Sequence, residues 1–112
     1  MEQPRLLIGG EWVETGRRLE VVNPYNESVI AEVPVAGETE VDAAIAAAEA
    51  GFAAMRTLPA HARASILNRC ADLVDAHAAE LASTIIAESG KLWNLSASDL
   101  AVIQRSLKEL TE

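Results

Sequence analysis

The stretch Val29–Phe52, VIAEVPVAGETEVDAAIAAAEAGF, contains the change of pattern that decides the fold. Its first residues are mostly β-branched and end at Pro34, which is typical of a short strand. Beyond Thr39 the apolar residues recur at steps of four, three and four, which places them on one stripe of an amphipathic helix. These residues are Val41, Ile45, Ala48 and Phe52. The sequence therefore predicts a strand-rich arm at residues 1–37 and a helical part at residues 38–112.

Upstream of this stretch the pattern is that of short strands. The segments 6–8 and 11–14 flank Gly9-Gly10, and two glycines supply the positive φ angles that a tight hairpin needs. Residues 19–22 predict a third strand, and the turn Asn23-Pro24-Tyr25 separates it from the strand that ends at Pro34. We expect these strands to form one small antiparallel sheet.

Downstream the pattern predicts three to four helices. The first runs from about residue 40 to residue 55, with Thr39 as its N-cap and Asp42 completing a capping box. Pro59 suits the first position of the next helical stretch, which Gly90 ends. That stretch is close to 30 residues long, so we expect a break near residues 75–78. Its predicted buried stripe consists of Ile66, Cys70, Leu73, His77, Leu81 and Ile85.

The last helix is predicted from a third stripe. Leu100, Ile103, Leu107 and Leu110 recur at helical spacing up to the C-terminus. Ser96 with Asp99 three residues later repeats the capping pattern, so we expect this helix to begin just after Ser96.

The charge balance excludes some classes of partner. The 112 residues contain 17 acidic and 9 basic side chains, for a net charge of −8, and the first fifty residues alone contribute −7. Nucleic acids and anionic lipids are bound through basic patches, so we expect neither a nucleic-acid nor a membrane partner. No apolar run is long enough to span a bilayer, and the first residues lack the pattern of a signal peptide. With Cys70 as the lone cysteine, we expect a cytoplasmic protein.

Few residues are candidates for chemistry. A nucleophilic cysteine reacts as a thiolate, usually next to a cation or at a helix N-terminus, whereas Cys70 falls in mid-helix, where we expect a small buried side chain. His61 and His77 have no partners at metal-ligand spacing, and we expect solvated helix histidines. No glycine-rich phosphate-binding motif occurs. The stretch Glu88–Lys91, ESGK, has two interpretations. Either Lys91 complements the negative end of a helix capped by glycine, or Glu88 contacts a cation or a partner.

Taken in order, several stretches resemble the N-terminal segment of the NAD(P)-dependent aldehyde dehydrogenase superfamily. The resemblance covers residue 6 to about residue 101, and it depends on the order and spacing of the stretches together. They are IGGEWV at 8–13, VNP at 22–24, VIAEVP at 29–34, EVDAAIAAA at 40–48, LPA at 58–60, ADLV at 71–74 and ESGK at 88–91.

The resemblance implies an α/β fold, in which this segment is the first part of a Rossmann-like nucleotide-binding domain. It implies a parent enzyme that oxidises an aldehyde to a carboxylic acid with NAD or NADP. The family's catalytic and nucleotide-contacting residues lie downstream of the matching stretches, so no catalytic or cofactor-binding residue is assigned here. We expect neither NAD nor NADP to bind this chain alone. Some family members bind a structural monovalent cation at positions that match Val21, Val22 and Glu88, although those members have Asp in place of Glu88.

We therefore expect an inactive N-terminal portion of an aldehyde dehydrogenase, which is a partial nucleotide-binding domain. Its partner would be the remainder of the dehydrogenase or a complementary chain. Because the apolar stripes lack a central sheet to cover, we also expect self-association. Two alternatives remain open, namely a stand-alone dimerisation or regulatory module and one half of a split enzyme.

Overall fold

The computed structural model describes residues 3–111. Four short strands precede four helices in this described range. The strands are β1 (Leu6–Ile8), β2 (Glu11–Val13), β3 (Arg18–Val22) and β4 (Val29–Pro34), and the helices are α1 (Glu38–Met55), α2 (Ala60–Ala76), α3 (Ala78–Ser89) and α4 (Trp93–Glu109). Residue contacts divide the chain into two compact units. The first contains β1–β4 and α1, and the second contains the turn Asn23–Asn26 with α2–α4.

The strands form two separate antiparallel pairs. β1 pairs with β2 around Gly9 and Gly10, whose φ angles of 60° and 83° confirm the predicted glycine hairpin. β3 pairs with β4, and the register shifts between Val21 and Val22. The expectation of one small sheet was wrong, since β1–β2 and β3–β4 are distinct two-stranded sheets.

Arg18 connects several backbone segments of the first unit. Its guanidinium donates to the carbonyl oxygens of Pro4 (3.1 Å) and Glu32 (2.7 Å), and to the Glu14 carboxylate (2.7 Å). The Pro4 carbonyl lies just before β1, and the Glu32 carbonyl lies within β4. A planar guanidinium can serve several acceptors at once, so Arg18 holds the two strand pairs together.

Helix α1 begins earlier than predicted and has a different cap. Gly37 is the N-cap, and its N–H donates to the Glu40 carboxylate at 2.7 Å. Thr39 lies inside the first turn instead of capping it. Helix α1 approaches the β1–β2 turn through Ala47. A Cβ built on Gly9 would lie 3.4 Å from Cβ of Ala47, so glycine and alanine together allow the helix and the turn to lie close to each other.

The core of the second unit consists mainly of small side chains. Ala71 of α2, Ala82 of α3, and Ser96 and Leu100 of α4 are buried. The break between α2 and α3 falls at His77, as the length of the stretch predicted, and Pro59 is the N-cap of α2. Ser96 does not cap α4. It lies one turn inside the helix and donates to the Leu92 carbonyl oxygen.

The predicted stripe of α2 and α3 faces outward along much of its length. Ile66 is 48% and Leu73 is 50% exposed, whereas Ala71 on another side of α2 is fully buried. The periodicity of the sequence correctly identified an apolar face on α2. The helices of this unit nevertheless pack through the face that contains Ala71, because small side chains let helix axes approach closely.

Candidate functional site

Two stretches that the sequence singled out meet in the second unit. The Asn23 side-chain oxygen accepts from the Tyr25 N–H at 2.9 Å, which shapes the Asn-Pro turn. Gly90 ends α3 in the left-handed conformation, with φ 68°, and its N–H donates to the Ile86 carbonyl oxygen. A Cβ built on Gly90 would lie 3.1 Å from Cγ of Pro24. Glycine is therefore favoured here for both its φ angle and its lack of a side chain.

Lys91 continues this corner toward α4. Its ammonium pairs with the Asp99 carboxylate of α4, and its complementing of the α3 end stays a prediction. The Ser89 hydroxyl donates to the Ile85 carbonyl oxygen, and the Lys91 N–H in turn donates to Ser89 Oγ at 3.4 Å. The glycine C-cap itself is confirmed. Residues 88–91 therefore hold the turn between α3 and α4 in place, and the ion pair of Lys91 with Asp99 connects that turn to α4.

The candidate cation ligands lie in different units. Val21 and Val22 are in β3 at the register shift, where the regular pairing with β4 is interrupted. Glu88 is exposed in the last turn of α3, and its carboxylate forms no ion pair with a cation of residues 3–111. A strand irregularity exposes backbone carbonyls, and a carboxylate is a hard oxygen donor, so both donor types suit a monovalent or other hard cation. The cation site stays a prediction.

The structure does not create a reactive centre from Cys70 or the histidines. Cys70 is exposed on α2, so the expected burial was wrong. It lies ten residues after the start of α2, far from the helix N-terminus. His61 is exposed, and His77 Nδ1 lies 3.4 Å from Glu80. In the described range no three His, Cys, Asp or Glu side chains are grouped to hold a metal ion. No helix there is both long and apolar enough to cross a membrane.

An apolar cleft in the second unit was not predicted from the sequence. Its volume is about 200 Å³, and it is lined mainly by α2, α3 and α4, with Trp93 as its largest side chain. The lining includes Val74, Ala78, Ala82, Leu100 and Gln104. The signal in the sequence was the set of alanines on the facing helices, which leave space where larger side chains would pack.

The described strand pairs differ from the strand arrangement that binds dinucleotides in α/β folds. In α/β folds such cofactors bind at the carboxyl ends of parallel strands, next to a helix N-terminus. Both strand pairs of the described range are antiparallel. Neither strand pair of residues 3–111 therefore offers the edge of parallel strands at which such cofactors bind.

Comparison with solved structures identifies the class of fold. A crystal structure of an NAD-dependent benzaldehyde dehydrogenase from Corynebacterium glutamicum matches 92% of this chain, with a TM-score of 0.87 and 37% identity. A 3,6-anhydro-L-galactose dehydrogenase in complex with NADP matches 96%, with a TM-score of 0.91 and 26% identity. These matches confirm the expected α/β class, in which the strand pairs and helices form one part of a Rossmann-like dehydrogenase fold.

The sequence comparisons identify the family. Residues 12–112 match the profile of the aldehyde dehydrogenase family. The vanillin dehydrogenase of Corynebacterium glutamicum is 37% identical over 105 residues, which cover 92% of this chain and 22% of that protein. The chain belongs to the aldehyde dehydrogenase family, as the resemblance of its N-terminal stretches predicted. It spans about a fifth of the length of the relatives that it matches.

Proposed function

We propose that this chain acts as the N-terminal portion of an aldehyde dehydrogenase that oxidises an aldehyde to a carboxylic acid with NAD or NADP. The observation that supports this role is the extent of the match, which covers nearly the whole chain but only about a fifth of each relative. In that role the segment supplies a strand-rich arm and helices at the border of the nucleotide-binding domain, and the cytoplasm is the proposed compartment.

The proposal includes inactivity of the isolated chain. Aldehyde oxidation through a covalent intermediate requires an activated nucleophile, oxyanion donors and a bound hydride acceptor in one place. Cys70 lies in the middle of α2, where the backbone N–H groups around it are engaged in the helix. The thiol therefore lacks an oxyanion hole beside it, and the described strands do not form a dinucleotide site.

An activity assay tests the inactivity. The purified chain is incubated with vanillin, benzaldehyde or malonate semialdehyde and either NAD or NADP, and cofactor reduction is followed by absorbance. We expect no aldehyde-dependent reduction. Turnover that stays with the chain through successive purification steps would contradict the proposal, and a Cys70→Ser variant would then show whether Cys70 is the nucleophile.

A complementation experiment tests the structural role. The Corynebacterium vanillin dehydrogenase is expressed without its matching segment, alone and together with this chain. We expect copurification and restored vanillin oxidation with the chain present. A Leu100→Asp variant, which disrupts the buried face of α4, should fail to restore it. Two soluble pieces that neither copurify nor regain activity would contradict the proposed role.

The exposed apolar side chains also favour a second candidate function. Val41, Ile45 and Phe52 on α1 are 49%, 56% and 67% exposed, which suits a stand-alone interaction module or one half of a split enzyme as well. The DNA that follows the codon for Glu112 distinguishes these cases. A downstream frame encoding a catalytic cysteine and glutamate favours a split or continuous enzyme, and its absence favours the module.

The cation site is proposed for the same parent enzyme. The Val21 and Val22 carbonyls and the Glu88 carboxylate would be its ligands. In thermal melts of the complemented enzyme, sodium or potassium chloride should raise Tm relative to choline chloride at equal ionic strength. Glu88→Gln should remove that difference, while Glu109→Gln should retain it. An equal difference in both variants would refute the assignment.

A further inference from the structure

The first surface that the fold leaves uncovered is on α1. Val41, Ile45 and Phe52 form its exposed apolar stripe, with Ala48 between the last two. Each large residue has an acidic side chain three positions earlier, since Glu38 precedes Val41, Asp42 precedes Ile45 and Glu49 precedes Phe52. Residues three apart are neighbours on a helix surface. We call this stripe with its acidic border the α1 face.

Helix α1 as a whole is strongly acidic. Its residues include Glu38, Glu40, Asp42 and Glu49 and no lysine or arginine. The next basic residue along the sequence is Arg56, the C-cap residue, which lies over the Phe52 ring at 5.7 Å. The first three turns of α1 therefore contribute only acidic charges to the α1 face, and Arg56 lies beside its last turn.

The second uncovered surface is on α2 and has the opposite charge. Ile66 and Leu73 are about half exposed, and exposed Cys70 lies between them. Ile66 comes three residues after Arg63 and three residues before Arg69, so both arginines border it. We call this surface the α2 face.

The acids of α2 lie away from the α2 face. Asp72 is 3.6 Å from Lys108 of α4, and Asp75 lines the apolar cleft. Both therefore point toward the other helices of their unit. The Arg63 guanidinium donates to the Leu58 carbonyl oxygen at 2.7 Å, and among the described residues neither Arg63 nor Arg69 forms an ion pair with an acid.

We propose that the chain self-associates head to tail, with the α1 face of one copy docked on the α2 face of a second copy. Apolar side chains meet in the centre of this contact, and Asp42 and Glu49 of one copy meet Arg63 and Arg69 of the other at its border. Opposite potentials across an interface favour association and fix the choice of partner surface. This inference concerns the chain on its own, without the remainder of the dehydrogenase to which the proposed function assigns it.

The same charges disfavour the symmetric alternatives. Docking two α1 faces would bring two acidic borders together, and docking two α2 faces would bring four arginines together. Like charges at such a contact oppose binding. A head-to-tail contact uses two different surfaces, so each copy keeps one free face and the assembly grows with concentration instead of stopping at a dimer.

A charge-swap experiment tests the pairing of faces. Sedimentation velocity should show concentration-dependent association of the natural chain, weaker at 1 M than at 0.1 M salt, since the Debye length falls from about 10 Å to about 3 Å. Asp42→Lys/Glu49→Lys makes both faces basic, and Arg63→Glu/Arg69→Glu makes both acidic. We expect each variant alone to associate at least about 10-fold more weakly. An equimolar mixture of the two should recover association.

The control reverses two acids outside both faces. Glu20→Lys/Glu109→Lys makes the same change in net charge as the α1 variant and should associate at least as strongly as the natural chain. Circular dichroism establishes that every variant is folded. A natural chain that stays monomeric at high concentration, or a mixture of folded variants that does not recover association, would overturn the proposal.

Disulfide trapping gives an independent readout, because Cys70 already lies on the α2 face. Ala48→Cys adds one thiol to the α1 face, and mild oxidation should then link copies into a ladder beyond dimers. Ala46→Cys, about 160° away around the helix, is the matched control and should give little beyond dimers. Equal ladders from both variants would contradict docking through the α1 face.

Discussion

The substitution Gly90→Ala tests the corner where α3 ends against the Asn-Pro turn. Gly90 has φ 68°, and a Cβ there would lie 3.1 Å from Cγ of Pro24, a ring atom that cannot move aside by a simple side-chain rotation. The left-handed conformation costs a residue with a Cβ about 1–2 kcal/mol. The tight approach to the proline adds to that cost, so we expect a loss of about 2 kcal/mol in the free energy of unfolding, or a fall in Tm of roughly 8 °C.

Gly51→Ala is the matched control. Gly51 lies inside α1, its φ is not positive, and nothing lies within 4 Å of a Cβ built on it. Alanine is a better helix former than glycine by about 0.8–1 kcal/mol, so this substitution should stabilise the protein. Urea unfolding followed by circular dichroism and by tryptophan fluorescence measures both variants. A Gly90→Ala variant as stable as the natural protein would refute the argument that conformation and contact at this corner require glycine.

Three further substitutions test packing and charge. Leu100→Ala should cost about 2–3 kcal/mol in urea unfolding, because Leu100 is only 7% exposed and borders the apolar cleft, and a loss under 1 kcal/mol would mean that the site collapses. Arg18→Met should cost about 1–2 kcal/mol by loosening the two strand pairs. Arg18→Lys should not restore stability, since the three donors of an ammonium lie on one nitrogen and cannot span acceptors that the guanidinium reaches from two nitrogens. A double-mutant cycle on Lys91 and Asp99 should give a coupling of about 0.2–1 kcal/mol, because both side chains are more than a third exposed, and a coupling above 2 kcal/mol would contradict that.

Local signals in the sequence predicted the backbone turns well. Gly9-Gly10 required positive φ angles, Gly90 suited the end of a helix, and a stretch of nearly 30 helical residues needed a break, which falls at His77. These features depend on the conformational freedom of single residues and on helix length, so neighbours in the sequence are enough to specify them.

Capping was predicted less well, because several residues can compete for one helix end. Thr39 and Ser96 both had an acid three residues later, yet Gly37 caps α1, and Ser96 is buried one turn inside α4. Ser96 is small enough to lie where α4 packs on its neighbours, and its hydroxyl is satisfied by the Leu92 carbonyl. A site with room only for a small side chain is a property of the packed helices, which a local pattern does not reveal.

The candidate site also combines features that the sequence predicted with contacts that form only in the folded chain. The order of short stretches was sufficient to predict the family, since that order depends on the sequence alone. The pairing of Lys91 with Asp99 and the contact of Gly90 with Pro24 involve residues 8 and 66 positions apart, so they become visible only when the chain is folded.

The amino-acid sequence alone was enough to establish the order of strands and helices, the glycine turns, the acidic charge and the family. Tertiary structure decided which side of each helix is covered. Periodicity shows that α2 has an apolar stripe through Ile66 and Leu73, but Ala71 on another side is the residue that is buried. Burial of a helix face depends on what packs opposite it. Alanine lets α2 approach α4 closely, while the larger side chains of α1 and α2 have no facing helix within their units and remain exposed.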